Sequence, residues 1–323
     1  MRTRLAALLF FFAPAMAFTV GVRAVEMENK PLPPVPAIGG NWDAWATAHM
    51  PLRQQAVRAN VFLTESLFGH APAYGHGYPK VIEGEDDWLY FGDDVTEACH
   101  QRRPISETID ALRRLGERVE AAGKRFVLTV APDKTTISPQ WLPARFPGRR
   151  CLLDRKAEFW TALQAANLPG YVDLRTPLEQ LQRETGKPAY WRTDSHWTDR
   201  AAALYAAEVA RALDPDLAAE TDLVFTGQAH REGDLGPLLG APREELIDRY
   251  ELARDGAPRY EPKTVLIGDS FTRNSMPWLR PYFANLTYQR NDGPVEWDDA
   301  ETVIVEIVER HLVGGSSALL DSG

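Results

Sequence analysis

Short runs of β-branched and apolar residues at Arg125–Val130, Tyr171–Leu174 and Thr264–Ile267 each follow a helical stretch or a turn, and Thr302–Val308 makes a fourth. Helices are predicted over Ser106–Ala122, Asp154–Ala166 and Thr198–Leu213, the last opened by Thr198 as N-cap with Asp199 behind it. Strands that alternate with helices pair in parallel, because a parallel neighbour is reached only through a crossover. Near-continuous apolar strands also need cover on both faces. The pattern therefore predicts an α/β fold with a doubly wound, mostly parallel sheet. At 323 residues with 44% apolar content the chain can bury such a core. It shows no internal repeat, no low-complexity block and no second domain after the last strand.

The first 24 residues read as an export signal. Arg2 and Arg4 precede an apolar run from Leu5 to Val22, broken only by Pro14, Thr19 and Gly21. Two readings stay open: cleavage after Ala15-Met16-Ala17 as a signal peptide, or retention as an N-terminal membrane anchor, for which the run is just long enough. Either way the remainder is exported, which places it in the periplasm, tethered to the inner membrane by residues 5–22 or soluble after cleavage. Residues 25–79 form a linker and helical lead-in. Lys30-Pro-Leu-Pro-Pro-Val-Pro36 is an extended spacer, and Asn41 to Phe68 carries apolar residues at helical spacing. Residues 80–312 hold the main domain, and 313–323 a C-terminal tail.

Charge and cysteine content narrow the function classes. A net charge of −9, with no run of Lys or Arg beyond the N-terminus, removes the basic footprint of a nucleic-acid binder. The two cysteines, Cys99 and Cys151, lie in the exported part, where a disulfide is permitted; two independent buried thiols are the alternative. No Cys/His pair stands at a metal-ligand spacing, so neither a metal nor a cofactor is expected.

The most specific chemistry lies in Thr264-Val-Leu-Ile-Gly-Asp-Ser-Phe-Thr272, an apolar strand running straight into Gly268-Asp269-Ser270. Ligands of doubly wound sheets bind beyond the carboxyl ends of the strands, which is where this turn presents the Ser270 hydroxyl. Gly-Asp-Ser alone is also an ordinary turn that caps a helix. A serine nucleophile needs a base, and the base needs orientation. Of the seven histidines, His49, His70, His76 and His100 lie in the N-terminal portion, His230 lacks a close upstream acid, and His311 lies past the last strand. His196 follows Asp194 by two residues in Tyr190-Trp-Arg-Thr-Asp-Ser-His-Trp-Thr198, just ahead of a predicted helix. An Asp-x-His pair can meet through Nδ1 and leave Nε2 for Ser270. Without Ser270, Asp194 reads as a cap and His196 as a packed aromatic.

Together these segments resemble the AlgX/AlgJ group of alginate O-acetyltransferases, which have an SGNH-hydrolase-like domain. The resemblance rests on Asp194-Ser-His-Trp-Thr198, Gly268-Asp-Ser-Phe271 and a final strand Val303-Ile-Val-Glu-Ile-Val-Glu-Arg310. Weaker matches are Gly84-Glu-Asp-Asp-Trp-Leu-Tyr90 and Ala131-Pro-Asp-Lys134 with Ser138-Pro139; no catalytic role is carried onto the latter. The resemblance implies Asp194 as acid, His196 as base and Ser270 as nucleophile. Their order is a circular permutation of the usual SGNH arrangement, whose serine comes first. Arg273 and Asn274 are candidates, by proximity only, for an oxyanion donor; capping the following helix or binding substrate is the other reading.

The implied activity is O-acetylation of an exopolysaccharide in alginate biosynthesis or a similar process, through an acetyl-serine enzyme. A membrane O-acyltransferase is implied as the donor partner, together with exopolysaccharide assembly proteins. The same motifs accommodate a carbohydrate esterase with water as acceptor. A non-catalytic polysaccharide-binding component is the third reading, against which the complete Asp194, His196 and Ser270 set argues.

Overall fold

The computed structural model describes residues 73–74, 78–218, 222–254 and 256–320. By contact, the described residues other than Leu239–Ala241 form one unit. The export segment, the proline-rich spacer, the Asn41–Phe68 lead-in and His49, His70 and His76 lie outside the described residues. Among the described residues no helix is long and apolar enough to cross a membrane.

In chain order, β1 (Ala73–Tyr74) pairs with β2 (Tyr78–Pro79), and β3 (Val81–Glu83) pairs with β4 (Leu89–Phe91), both antiparallel. Helix α1 (Asp93–Cys99) and α2 (Ile105–Ala121) lead to β5 (Arg125–Ala131), which turns directly into the short α3 (Lys134–Ile137). Then follow α4 (Arg149–Ala165), β6 (Tyr171–Val172), α5 (Arg175–Thr185) and α6 (Asp199–Leu213). A long antiparallel hairpin, β7 (Asp222–Glu232) with β8 (Glu244–Ala253), precedes β9 (Thr264–Gly268), α7 (Ser270–Leu279), β10 (Leu286–Arg290), β11 (Thr302–Val308) and α8 (Glu309–Val313).

The central sheet has the order β10-β9-β11-β5-β6, and every pairing in it is parallel. Strand β11 is buried at every position and β5 at all but Arg125, so both faces of the sheet are covered. Helix α2 packs with α4, and α6 with α7; both α2 and α6 reach β5. The chain leaves β5 towards β6 and leaves β9 towards β10, in opposite directions. The carboxyl ends of β9, β11 and β5 therefore meet at the point where the winding reverses, the usual ligand site of such sheets.

The sequence reading needs several corrections. Helix α4 begins at Arg149, not Asp154, because Gly148 takes the left-handed conformation at φ +81° and starts the helix five residues earlier. A Cβ on Gly148 would also meet Val95 Cγ1 at 2.4 Å. The early start brings Cys151 onto α4, where a disulfide joins it to Cys99 at the end of α1. The final strand stops at Val308: Asp269 Oδ2 accepts the Val308 N–H at 3.0 Å, and the buried Glu309 and Arg310 open α8. Residues 313–320 are no loose tail, since Val313 and Leu319 belong to the core. The hairpin β7–β8 and the edge strand β10 went unread, for reasons taken up below.

Candidate active site

Ser270 is the first residue of α7, set there by the preceding strand and by its cap. Asp269 accepts the Phe271 N–H on Oδ1 at 2.8 Å and the Val308 N–H on Oδ2 at 3.0 Å, which ties the turn to the neighbouring strand. Beneath it lies Glu306, fully buried. Its Oε2 accepts the Asp269 N–H at 3.1 Å and the Thr272 hydroxyl at 2.9 Å. Burial first, and then the negative Asp269 beside it, push the Glu306 carboxyl well above the usual range. Ser270 itself is half-buried.

His196 comes from the loop between α5 and α6. Its Nε2 lies 2.8 Å from Ser270 Oγ and its Nδ1 2.8 Å from Asp194 Oδ1. The same Asp194 oxygen also accepts the His196 backbone N–H at 2.9 Å. With Nδ1–H donated to a carboxylate, Nε2 is left to accept the serine proton, the arrangement that makes a serine nucleophilic. The imidazole rests on Phe271 of α7, with ring centroids 4.9 Å apart, and the Trp197 indole donates to Ser275 Oγ at 2.9 Å. The histidine loop and the serine helix are therefore packed together as well as hydrogen-bonded.

The β7–β8 hairpin brings further charges that the sequence reading missed. Arg231 donates to Asp194 Oδ2 at 2.9 Å. Burial pushes the Asp194 carboxyl upward, but the hydrogen bonds and charge of His196, with the charge of Arg231, hold it well below the usual carboxylate range. Asp234 accepts the Ser195 N–H at 2.7 Å and the Ser195 hydroxyl at 2.6 Å, and its Oδ2 stands 3.4 Å from His196 Nδ1. Glu245 accepts the Arg192 N–H at 2.9 Å and both the N–H and hydroxyl of Thr193 at 2.7 Å. From the other side, Lys134 Nζ reaches four carbonyl oxygens: Leu89 and Trp191 at 2.6 Å, Arg192 at 2.8 Å and Asp194 at 3.0 Å. No local signal marks Arg231, Asp234 or Glu245. Lys134 stood in a noted motif but carried no role.

The other sequence candidates lie elsewhere. Arg273 is exposed and Asn274 half-buried on the first turns of α7, and among the described residues neither side chain hydrogen-bonds Asp194, His196 or Ser270. His100 follows the end of α1, His230 sits on β7 with Nδ1 3.8 Å from Glu244, and His311 lies on α8. Asp194, His196 and Asp234 form the one described group of three side chains close enough to share a metal ion. The Nδ1–H to Asp194 bond competes with any such use of the histidine. The same loop borders a cavity of about 400 Å³ whose walls include Trp88, Trp141, Trp191, Arg192, Arg200 and Tyr250.

Similarity to known proteins agrees with this architecture. The family model for the SGNH hydrolase-like domain of the acetyltransferase AlgX matches residues 81–285. The probable alginate O-acetylase AlgJ of Pseudomonas syringae pv. tomato is 24% identical over 180 residues, covering 54% of this chain and 44% of that protein. The Azotobacter vinelandii counterpart is 23% identical over 225 residues, 63% of this chain and 54% of its own length. The chain thus spans about half the length of the relatives it matches. Among solved structures, the O-acetyltransferase domain of Pseudomonas putida AlgJ superposes with a TM-score of 0.53 at 19% identity, over 72% of this chain and 92% of that one. Pseudomonas aeruginosa AlgX gives 0.51 at 17%, over 75% and 66%. Residues 81–285 make up more than half of the chain, and by that match it belongs to the AlgX family of SGNH hydrolase-like domains.

Proposed function

We propose that the chain is an O-acetyltransferase that moves acetyl groups through Ser270 onto hydroxyls of an exopolysaccharide of the alginate type. The observation that carries the reading is the unbroken relay from Asp194 to His196 Nδ1, and from Nε2 to Ser270 Oγ, each step 2.8 Å, at the carboxyl end of β9. The printed names of the relatives, alginate O-acetylases, support the acetyl group and the polymer. The cavity beside the loop supports an acceptor site for a polar substrate such as a sugar, since Arg192, Arg200, Lys187 and Asp248 line it together with aromatic side chains.

In the first half-reaction Ser270 Oγ attacks the acetyl carbonyl of the donor while its proton passes to His196 Nε2. The tetrahedral intermediate collapses, and the imidazolium returns that proton to the departing group. In the second, a sugar hydroxyl gives its proton to Nε2 and attacks the acetyl-serine, and the collapse restores Ser270 Oγ–H. Asp194 stays ionised throughout and holds the imidazolium. The Ser270 backbone N–H at the start of α7 is the proposed first donor to the oxyanion. Arg273 or Asn274 is the proposed second donor. The donor comes from a membrane O-acyltransferase, and the chain works in the periplasm behind residues 5–22, alongside exopolysaccharide assembly proteins.

The test uses the purified protein with a chromogenic acetyl ester, with and without an oligosaccharide acceptor, and mass spectrometry of the sugar. Acetylated sugar that disappears in Ser270→Ala is the expected result. Acetate release without acetylated sugar points to an esterase, and no turnover at all overturns the enzymatic reading.

A further inference from the structure

We infer that Lys134 is a positioning residue, whose ammonium, caged by four backbone carbonyls, is the internal cation that folds the Asp194–His196 loop into its reactive form. Lys134 follows β5 directly, at the same end of the sheet as Ser270, and is 2% exposed. The rings of Trp88 and Tyr90 lie 4.8 and 5.3 Å from Nζ, closing the sides that the carbonyls leave open.

The loop's backbone N–H and C=O groups go to opposite partners. The N–H groups of Arg192 and Thr193 point to the Glu245 carboxylate, and that of Ser195 to Asp234. The carbonyls of Trp191, Arg192 and Asp194 all converge on Lys134 Nζ. The Thr193 carbonyl takes the Leu235 N–H and the His196 carbonyl the Trp191 N–H. The loop is thus held by anions on its amide side and by one cation on its carbonyl side, with every one of these groups paired. Three carbonyl dipoles of one short loop repel each other when aimed at a common point, so the turn that presents Asp194 and His196 needs a positive centre there. A neutral amine offers only two N–H groups, whereas the ammonium offers three to the four oxygens. Burial pulls the Lys134 ammonium down to about 7, while Glu245, Asp194, Asp234 and Asp94 pull it back up.

A lysine that merely filled space would be replaceable by methionine, which matches its length and apolar stem. Under the proposal, Lys134→Met takes the ammonium from four carbonyls, of which that of Arg192 keeps a second donor in the Leu89 N–H at 2.9 Å, and displaces the loop. Expected in acetyl-ester turnover is a fall in kcat of about a hundredfold, the cost of a shift near 1 Å in a reacting group. KM changes little, and the low-field proton resonance of the His196–Asp194 bond is lost. In Lys134→Ala, methylammonium should restore kcat saturably, while tetramethylammonium, of like charge but without N–H donors, should not. Full kcat with an unchanged low-field proton in Lys134→Met, or equal rescue by both amines, overturns the proposal.

The second measurement needs no variant. In isotopically labelled wild type the Lys134 ammonium should give a slowly exchanging resonance with couplings across hydrogen bonds to the carbonyl carbons of residues 191, 192 and 194. A fast-exchanging amine without those couplings sinks the proposal even if the variants fail to fold. The inference rests on the proposed acyl transfer only for its kinetic readout, since both resonances report on the loop whether or not acetyl is transferred.

Discussion

Arg231 reaches from β7 to the Asp194 oxygen that His196 leaves free, so the two oxygens of one carboxylate are divided between the imidazole and a guanidinium 2.9 Å away. The guanidinium also stacks over Trp191, 3.9 Å from the ring centroid. It therefore fixes the direction of the carboxylate as well as neutralising it. The Arg231 side chain is 30% exposed, so water partly replaces what a substitution removes. Arg231→Gln should lower kcat/KM for an acetyl ester by about tenfold, roughly 1.4 kcal/mol of transition-state stabilisation. Arg231→Lys should recover only part, because an ammonium cannot both stack on the indole and direct a planar hydrogen bond. Initial-rate kinetics of the two variants decide it; activity equal to wild type in Arg231→Gln would leave Arg231 a surface ion pair.

Two carboxylates stand near His196 Nδ1, Asp194 at 2.8 Å and Asp234 at 3.4 Å, and they should not count equally. Asp194→Asn removes the charge and lets the imidazole take the wrong tautomer, for which a loss of about 10⁴ in kcat is the precedent in serine enzymes. Asp234 is 44% exposed on its side chain and also holds Ser195, so Asp234→Asn alone should cost about three- to tenfold. With Asp194 already changed to Asn, Asp234 is the one anion left near Nδ1 among the described residues, and removing it should cost more than in wild type. A double-mutant cycle on kcat measures the difference. Strict additivity would reduce Asp234 to an anchor for Ser195.

Much of this arrangement was visible in the sequence, and what was hidden shares one property. Strands β5, β9 and β11 are apolar along their length because both faces are covered, and a continuous run such as Val303-Ile-Val-Glu-Ile-Val308 needs no tertiary knowledge to be read. Asp194 and His196 are two residues apart, and Ser270 follows a strand, so each carried a local pattern. The hairpin did not. Strands β7 and β8 form a two-stranded ribbon of mainly polar residues, with Val224, Phe225 and Leu246 exposed. The covered positions of β8 mix Glu245 with Ile247, Tyr250 and Leu252, so no clean apolar alternation marks them. Edge strand β10, Leu-Thr-Tyr-Gln-Arg, is half-covered and polar for the same reason. Asp234 and Glu245 lie 39 and 52 residues from Ser195 and Thr193, and only the fold brings them to the loop. Lys134 was in view, yet its role depends on four carbonyls contributed by two distant segments.

A buried charge cluster behind β5 should make stability depend on pH. Asp94, Asp133 and Glu309 share it with two cations among the described residues, Lys156 and Arg310. Burial first, then the charge of Asp133, push the Asp94 carboxyl up to about 7, although Lys156 and Arg310 pull it down. The folded protein thus holds a proton there that an unfolded chain gives up near an ordinary carboxylate pKa of about 4. Between those limits the folded state binds more protons, so this group's stabilising contribution is full at low pH and is lost as pH rises through about 7. The Tm of Asp94→Asn, uncharged throughout, should therefore fall less than that of wild type between about pH 4 and about pH 7, while the lowered Lys134 and His311 act in the opposite sense in both proteins. Glu306 and Glu309, also pushed upward, leave a residual slope of the same sign. A steeper fall in Asp94→Asn than in wild type would contradict the assignment.

The turn before Ser270 leaves no room for a side chain. A Cβ on Gly268 would lie 2.4 Å from Thr272 Oγ1, 2.6 Å from Thr272 Cβ and 2.9 Å from Glu306 Oε2. Those atoms cannot withdraw cheaply. Thr272 donates to Glu306, which also receives the Asp269 N–H, and Tyr205 lies against Thr272 with its hydroxyl 3.2 Å from Oγ1. Gly268→Ala must therefore shift the first turn of α7, at a cost of about 1–3 kcal/mol typical of overpacking. Because Ser270 is two residues further on, the same shift moves Oγ away from His196 Nε2. Gly268→Ala should lower Tm and, in the molecules still folded, slow covalent labelling of Ser270 by a sulfonyl fluoride. Thr272→Ala in the same chain removes the nearest of the three clashing atoms, Oγ1, and should recover part of the Tm, whereas a Thr272→Ala change that deepened the loss would place the strain elsewhere.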